Sequence, residues 1–379
     1  MVQKRLTIHV IGAGKGESII LEMPDRKWGV VDCYASSVTD KTTNQTLSFL
    51  QRKNVEGLEF LCLTHPHEDH YRGMVHLIKQ FNGNILRFWR FTPRPLAQVV
   101  AYIQAAAMEY GARSGSRTGV AELAELFMLI RRMRKEKDRY AEEFVELVEG
   151  FKLLLTSTIR DGENEIPLRI LALGPSGNLV DAYQEMLGRY FAGKIEYASR
   201  INQIHNLISG VLLVIYGETR VVLGGDVEGK GWEYIMKHPI RASSDESIAA
   251  HLVKVSHHGS TTNLVSGLWE ALTADKNSNC YAVLTPFVTH GLPKGEVIEH
   301  IAHYTNNNVY STCLSEPRYR EPESVLREYH LNRLSKSADD KGRFVPDLPS
   351  RIIHRCSFSF GPSGDCICRC TEGNSGPLM

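Results

Sequence analysis

Neither sign of charge dominates this chain of 379 residues: Lys+Arg 44 against Asp+Glu 43 leaves a formal net charge of +1. The global balance therefore announces no polyanion or membrane surface, and any such preference must come from a local patch. No stretch approaches the roughly 18 apolar residues of a membrane span, and MVQKRLTIHVIGAG lacks the apolar run and cleavage site of a secretory leader. A cytoplasmic location is the expectation, with Cys33, Cys62, Cys280 and Cys313 as reduced core residues. A C-x₂-C turn is also missing. Cys356 and the run Cys366-Ile367-Cys368-Arg369-Cys370 have enough thiols for an extra structural zinc, but alternating cysteines on one face of a final strand would look the same. Gly12-Ala13-Gly14-Lys15-Gly16 lacks the Gly-Lys-Ser/Thr ending and following helix of a phosphate loop, and is expected to be a tight strand turn.

What is present is a core-forming composition, 42% hydrophobic, and a repeated order of elements. The short apolar runs LTIHVIG, SIILEMP, WGVVDCY and EFLCLT read as strands, as do PLRILALGP, LISGVLLVIYG, TRVVLGGD, HLVKVS and YAVLTP. Helices are expected over 43–53, through YRGMVHLIKQF and DAYQEMLGRYF, and over 229–237, 264–273 and 294–304. Between about 95 and 160 the periodicity reads as almost wholly helical, as an insertion or cap. The fold class is α/β, in four segments: 1–94, a helical insertion over 95–165, a second half over 166–334, and a linker with a Cys-rich tail over 335–379.

The chemistry sits at strand ends. His65-Pro66-His67-Glu68-Asp69-His70 follows EFLCLT, so His65 and His67 can aim to one side while Asp69 and His70 reach a second point nearby. Imidazoles with one carboxylate suit two zinc or manganese ions, whereas an all-oxygen set would suit calcium or magnesium. Leu223-Gly224-Gly225-Asp226 ends another strand, where Asp226 can bridge two metals. Ser256-His257-His258-Gly259-Ser260 ends a third; one histidine is expected on metal and the other on substrate or behind the ligands. Thr289-His290-Gly291-Leu292-Pro293 ends a fourth.

On these motifs the chain resembles the metallo-β-lactamase-fold hydrolases, most closely the ComEC-like branch that contains the hydrolase domain of a DNA-uptake protein. Its HxHxDH signature matches residues 65–70, its N-x-x-S element Asn206 to Ser209, its Gly-Asp Gly225-Asp226, and its PHHGS residues 256–260. Its Gly-His-Pro appears altered, as His290-Gly291-Leu292-Pro293, and its membrane segments are absent, so a stand-alone relative is implied. The resemblance implies an αββα sandwich with the helical insertion between HxHxDH and the second half. It also implies two divalent ions, Zn or Mn, and hydrolysis by a metal-bridging hydroxide. His65, His67, Asp69, His70, His205, Asp226 and His257 are expected on metal, with either histidine of the pair able to fill the last place. Asp69, His258 and His290 are expected in catalysis, and Asp32 and Asn206 behind the ligands.

The substrate implied is DNA, cleaved as by a nuclease. The alternatives are a small ester, lactone or thioester, or a partner-docking subunit with little turnover. Ser260 and the basic run Arg131, Arg132 and Arg134 are candidates for substrate contact, although a solvated helix face is the plainer explanation of that run. A protein partner encoded nearby, supplying or restricting the target, is also expected; a membrane partner is not.

Overall fold

The computed structural model describes residues 4–93, 97–101, 117–136, 141–144, 151–192, 204–238, 247–274, 279–313 and 355–371. Strands β1 (Leu6–Ile11), β2 (Ser18–Glu22), β3 (Trp28–Val31), β4 (Phe60–Leu63), β5 (Arg87–Arg90) and β6 (Ala141–Phe144) belong to one sheet. A second sheet holds β7 (Lys152–Asp161), β8 (Asn164–Gly174), β9 (Val211–Tyr216), β10 (Thr219–Leu223), β11 (Leu252–Lys254), β12 (Tyr281–Leu284) and β13 (Val309–Ser311). The hairpin β14 (Arg355–Phe360) and β15 (Cys366–Thr371) completes the first, in the order β15-β14-β1-β2-β3-β4-β5-β6. The second runs β13-β12-β11-β10-β9-β8-β7.

The alternation of side chains decides how these layers stack. Successive residues of a strand face opposite ways. Leu6, Ile8, Val10, Ile19, Leu21, Phe60 and Cys62 enter a core shared with Ile170, Val214, Val222 and Val253 of the second sheet. Their neighbours Ile11, Ile20, Leu61 and Leu63 face the other way, onto helices α1 (Gln45–Arg52), α3 (Met74–Phe81) and α4 (Arg117–Glu136). Between β4 and α3 lies the single turn α2 (Glu68–Tyr71). On the second sheet, α5 (Gly177–Phe191), α6 (Gly229–Lys237), α7 (Leu268–Leu272) and α8 (Gly295–Tyr304) follow β8, β10, β11 and β12, and Trp232, Trp269 and Ile301 from the last three are buried. The α/β architecture of two mixed sheets flanked by helices is the one expected.

Three expectations are corrected. Among the described residues of the insertion, helix covers only 97–101 and Arg117–Glu136; Ala141–Phe144 and Lys152–Asp161 are strands, paired with β5 and β8. AEEFVELVEGFKLLL carries apolar residues at spacings that suit either element, and pairing with waiting strand edges overrides local preference. The described end of the tail is no appendage, since β14 pairs with β1 along its whole length, Leu6 opposite Phe360. Third, Arg87–Arg90 forms β5, a strand the pattern reading passed over because charges flank its two aromatics. The expected helix over AYIQAAAMEY lies almost wholly outside the described residues, as does the expected linker at 335–350.

The hairpin's cysteines fit its pleat. Cys356 is buried, Cys366 and Cys368 pack part-buried against the shared core, and Cys370 lies opposite Cys356 in the register. Among the described residues no group of three ligating side chains gathers there.

Because Phe358 is 0% exposed, Phe358→Ala should cost about 3–5 kcal/mol of stability, the range for losing a buried aromatic ring. Urea denaturation checks this. A loss below about 0.5 kcal/mol, the scale of a surface change, would show that the hairpin does not belong to the sandwich.

Candidate metal centre

The strand order brings the polar strand ends to one edge. β3 and β4 are parallel neighbours, as are β10, β11 and β12, so their C-terminal ends emerge on the same side of each sheet. Ligand sites in α/β sheets form at such ends. The two edges are tied together where the Gly210 N–H donates to the Thr64 carbonyl at 3.1 Å. Gly225 sits at φ +51 with its α-carbon against Ser209, where an added Cβ would come 2.6 Å from the hydroxyl. That close approach seats the loop carrying Asp226 on Ser209 and Gly210, within reach of Thr64 at the edge of the first sheet.

Hydrogen bonds behind the histidines determine which ring nitrogens face inward. Asp32 is fully buried at the end of β3, at φ +56. Its Oδ1 accepts the Thr64 N–H at 2.8 Å, and its Oδ2 accepts the Thr64 hydroxyl at 2.7 Å and His70 Nδ1–H at 2.8 Å. With Nδ1 carrying the proton, His70 turns a lone pair on Nε2 inward. Having given its own proton to Asp32, the Thr64 hydroxyl can only accept from His65 Nδ1, 3.0 Å away. His65 Nε2 then also bears a lone pair. His258 donates Nδ1–H to the Thr285 carbonyl at 2.7 Å, with the same result.

Those inward lone pairs meet carboxylate oxygens. Asp226 Oδ2 lies 3.7 Å from His65 Nε2, 3.3 Å from His70 Nε2 and 3.8 Å from His258 Nε2. Asp69 Oδ2 lies 3.0 Å from His258 Nε2 and 3.5 Å from His70 Nε2. Nε2 of His65 approaches Nδ1 of His67 at 2.8 Å. Acceptors facing acceptors in a buried site need a cation between them. Consistently, His67 Nε2, His70 Nε2 and Asp226 Oδ1 are buried with no hydrogen-bond partner. Ligating atoms gather in two groups sharing Asp226, His65 with His67 and Glu17 with His70 and His258, and Asp69 Oδ2 reaches the Nε2 atoms of the second group. With Glu17 on the Nδ1 side of those rings, Asp69 is the carboxylate that fits a divalent ion there.

The charges respond to this crowding. Burial works against the imidazolium of His70, but the carboxylates of Asp226, Asp69, Asp32 and Glu17 drive its pKa well above the ordinary value. Burial works to raise the Asp69 carboxyl, yet the charge of His70 and the close approach and charge of His258 bring it down to about 2. Asp226 is held well below the ordinary carboxylate range, where the same two histidines outweigh burial. Burial pushes Asp32 upward against the pull of His70. These groups bind metal only as they lose protons.

The adjacent pair His257-His258 divides its work differently from the first assignment. Both residues adopt left-handed backbone, at φ +45 and +52, a conformation that costs roughly 1–2 kcal/mol per residue. This turn sends the buried His258 into the cluster and His257 outward, its Nδ1 2.9 Å from Glu228 Oε1. The ligand place expected for His257 therefore goes to His258. Burial opposes the charge on His257, but the Glu228 hydrogen bond raises its pKa.

The other candidates fall at varying distances. His205 is buried, packs edge-on to His67 with ring centres 5.2 Å apart, and has Nδ1 3.1 Å from the Tyr183 hydroxyl. Asn206 donates Nδ2–H to Glu228 Oε1 at 2.9 Å. His290 is exposed at the mouth and stacks on Phe287, which stacks on His258. Ser260 caps the turn at residues 261–263. Arg131 and Arg132 are exposed on α4, which packs on α3 at the outer face of the first sheet; the side chain of Arg134 lies outside the described part.

Two residues escaped the sequence reading. Glu17 and Lys254, both 0% exposed, form an ion pair beneath the cluster, and Glu17 Oε2 also accepts the Thr285 hydroxyl at 2.7 Å. Glu17 approaches His70 and His258 at their Nδ1 edges, at 3.8 and 3.7 Å, so it supports these rings from behind. For Lys254 the available signal was a lysine inside an otherwise apolar strand.

No protein-family model and no curated protein matches the chain. Among solved structures it is similar to a diphosphatase from the PhnP family, at 11% identity over 74% of this chain and 86% of that one, with a TM-score of 0.30. It is also similar to the metallo-β-lactamase-fold protein YhfI from Bacillus subtilis, at 12% identity over 86% and 92%, with a TM-score of 0.35. Likenesses this distant carry no functional weight, and the side chains must supply it.

Elemental analysis of protein purified with Zn or Mn should find about two equivalents, as expected for a paired site. His258→Ala should lower that by about one equivalent, whereas His257→Ala should leave it unchanged. The reverse pattern would return the ligand role to His257.

Proposed function

We propose that this protein is a metal-dependent hydrolase that cleaves phosphodiesters, with DNA as the substrate. The observation that carries the proposal is Asp226 Oδ2, within 3.3 to 3.8 Å of inward Nε2 atoms from His65, His70 and His258. One carboxylate shared between two ligand groups suits a pair of cations. When bound, such a pair supplies an attacking water acidified toward neutral pH and polarisation of the scissile bond.

The chain's own groups orient and complete this chemistry. Asp69, with 17% of its side chain exposed against 2% for Asp226, is the acid of the cluster open to solvent. Its low pKa keeps it a hydrogen-bond acceptor, placed to align the water. Asp32 and the Thr285 carbonyl hold Nδ1 protons on His70 and His258, which keeps their Nε2 atoms available. His290 at the mouth is placed to donate to a phosphate oxygen as charge develops. Support for phosphodiesters comes from the ordered motifs by which the chain resembles the ComEC-like branch.

Linear DNA, circular DNA, RNA, bis(4-nitrophenyl) phosphate and nitrocefin, each with Mn and with Zn, form the test. DNA and the phosphate diester should be cleaved. Asp69→Ala and Asp226→Ala should each lower kcat by at least about 10²-fold, the scale of removing a preorganised charge-stabilising group, with circular dichroism unchanged. Cleavage of nitrocefin alone would move the assignment to small cyclic amides and esters, and full activity after chelation would end it.

A further inference from the structure

A cleft of about 410 Å³ opens beside the cluster, a size within the usual range for small-molecule sites. Its wall adjoins the proposed centre through neighbours in the chain. Asn206, in its wall, follows His205, which packs on His67; Glu228, also in its wall, lies two residues beyond Asp226 and is bonded to His257.

The wall has a specific unmet need. Asn206 is 3% exposed, and its Nδ2 must be the end facing Glu228, since a carboxylate can only accept. Its Oδ1 is thereby fixed as the other end, buried and without a hydrogen-bond partner. An orphan acceptor of this kind is costly to bury, and a ligand that supplies a donor removes that cost. Nearby, α6 begins at Gly229 with Glu228 as its N-cap, yet the Glu228 side chain makes no capping bond because it is turned to Asn206 and His257. The N–H groups of the first turn thus lack a side-chain acceptor beside the exposed Lys230, an arrangement that favours an anion. Leu179, Leu207 and Val227 give the cleft an apolar surface.

Resting on the phosphodiester hydrolysis above, we propose that this cleft binds the nucleotide next to the scissile bond. Its phosphate lies at Lys230 and the start of α6, and its ring lies against Leu179, Leu207 and Val227. An N–H or O–H of the same unit donates to Asn206 Oδ1. A substrate with only an anion, or only a ring, satisfies part of the cleft. The cleft therefore selects for the pair.

Calorimetric titration of the metal-loaded full chain with deoxyadenosine 5′-monophosphate tests this, with deoxyadenosine and inorganic phosphate as separate probes. The monophosphate should bind most tightly. Lys230→Ala and Asn206→Ala should each weaken it about tenfold, the scale of one lost charged or buried hydrogen bond, while inorganic phosphate shifts less. The ratio of kcat/KM for a deoxydinucleotide to that for bis(4-nitrophenyl) phosphate should fall by a similar factor. Lys230 is exposed, so its variant remains informative even where the Asn206 variant folds poorly. Monophosphate affinity within about twofold of wild type in Lys230→Ala, or bound equally well as inorganic phosphate, would overturn the cleft assignment while leaving hydrolysis intact. Loss of all phosphodiester cleavage with monophosphate binding retained would instead overturn the hydrolase assignment alone.

Discussion

The Asp32 carboxylate is the constraint on which the site depends. It accepts from the Thr64 backbone, the Thr64 hydroxyl and His70, and through that hydroxyl it also settles the ring of His65. One buried acid thus orients a histidine in each of the two ligand groups. Its geometry needs β3 and β4 side by side in parallel, and it needs the left-handed backbone at residue 32 that turns the carboxylate across the strand end. The sandwich is what keeps both conditions rigid.

Buried charge explains the surroundings of that acid. Glu17, Asp32 and Asp226 lie within a region where lone carboxylates would be expensive. Asp32 is answered by three donors and Glu17 by Lys254 and Thr285, whereas Asp226, held in place through its backbone N–H on the Ser209 hydroxyl, faces histidine lone pairs and needs a cation. Lys254 also donates to the Gly225 carbonyl at 3.3 Å, so the Glu17 ion pair reaches the loop that carries Asp226. Binding a divalent cation at Asp226 completes an electrostatic arrangement whose supporting half is already built.

Much of this was legible in the chain, and for identifiable reasons. The alternation in LTIHVI announces a strand, the continuous apolar run FLCL announces one buried on both faces, and histidines at the end of FLCL have no structural use that cheaper residues would not serve. Asp32, Asp69, His70 and Asp226 could be picked out because each polar group interrupts or ends an apolar run. Glu17 was overlooked because it follows a glycine-rich turn, where an acid ordinarily faces water. Residues 141–144 and 152–161 were misread because amphipathic spacing suits a helix or a strand until a neighbouring edge exists to pair with.

By itself the sequence determined the types of most elements, the metal-suited donor set and its attachment to strand ends, since hydrophobic period and residue chemistry are local properties. The tertiary structure decided which atoms converge. His257 and His258 are chemically identical neighbours, and only the left-handed turn beside Thr285 and Glu228 sends one inward and the other out. The same holds for the unpartnered Asn206 oxygen, whose meaning comes from Glu228 having claimed the other end of the amide. Hydrogen-bond partners distant in sequence assign these roles, and distance in sequence is what folding alone removes.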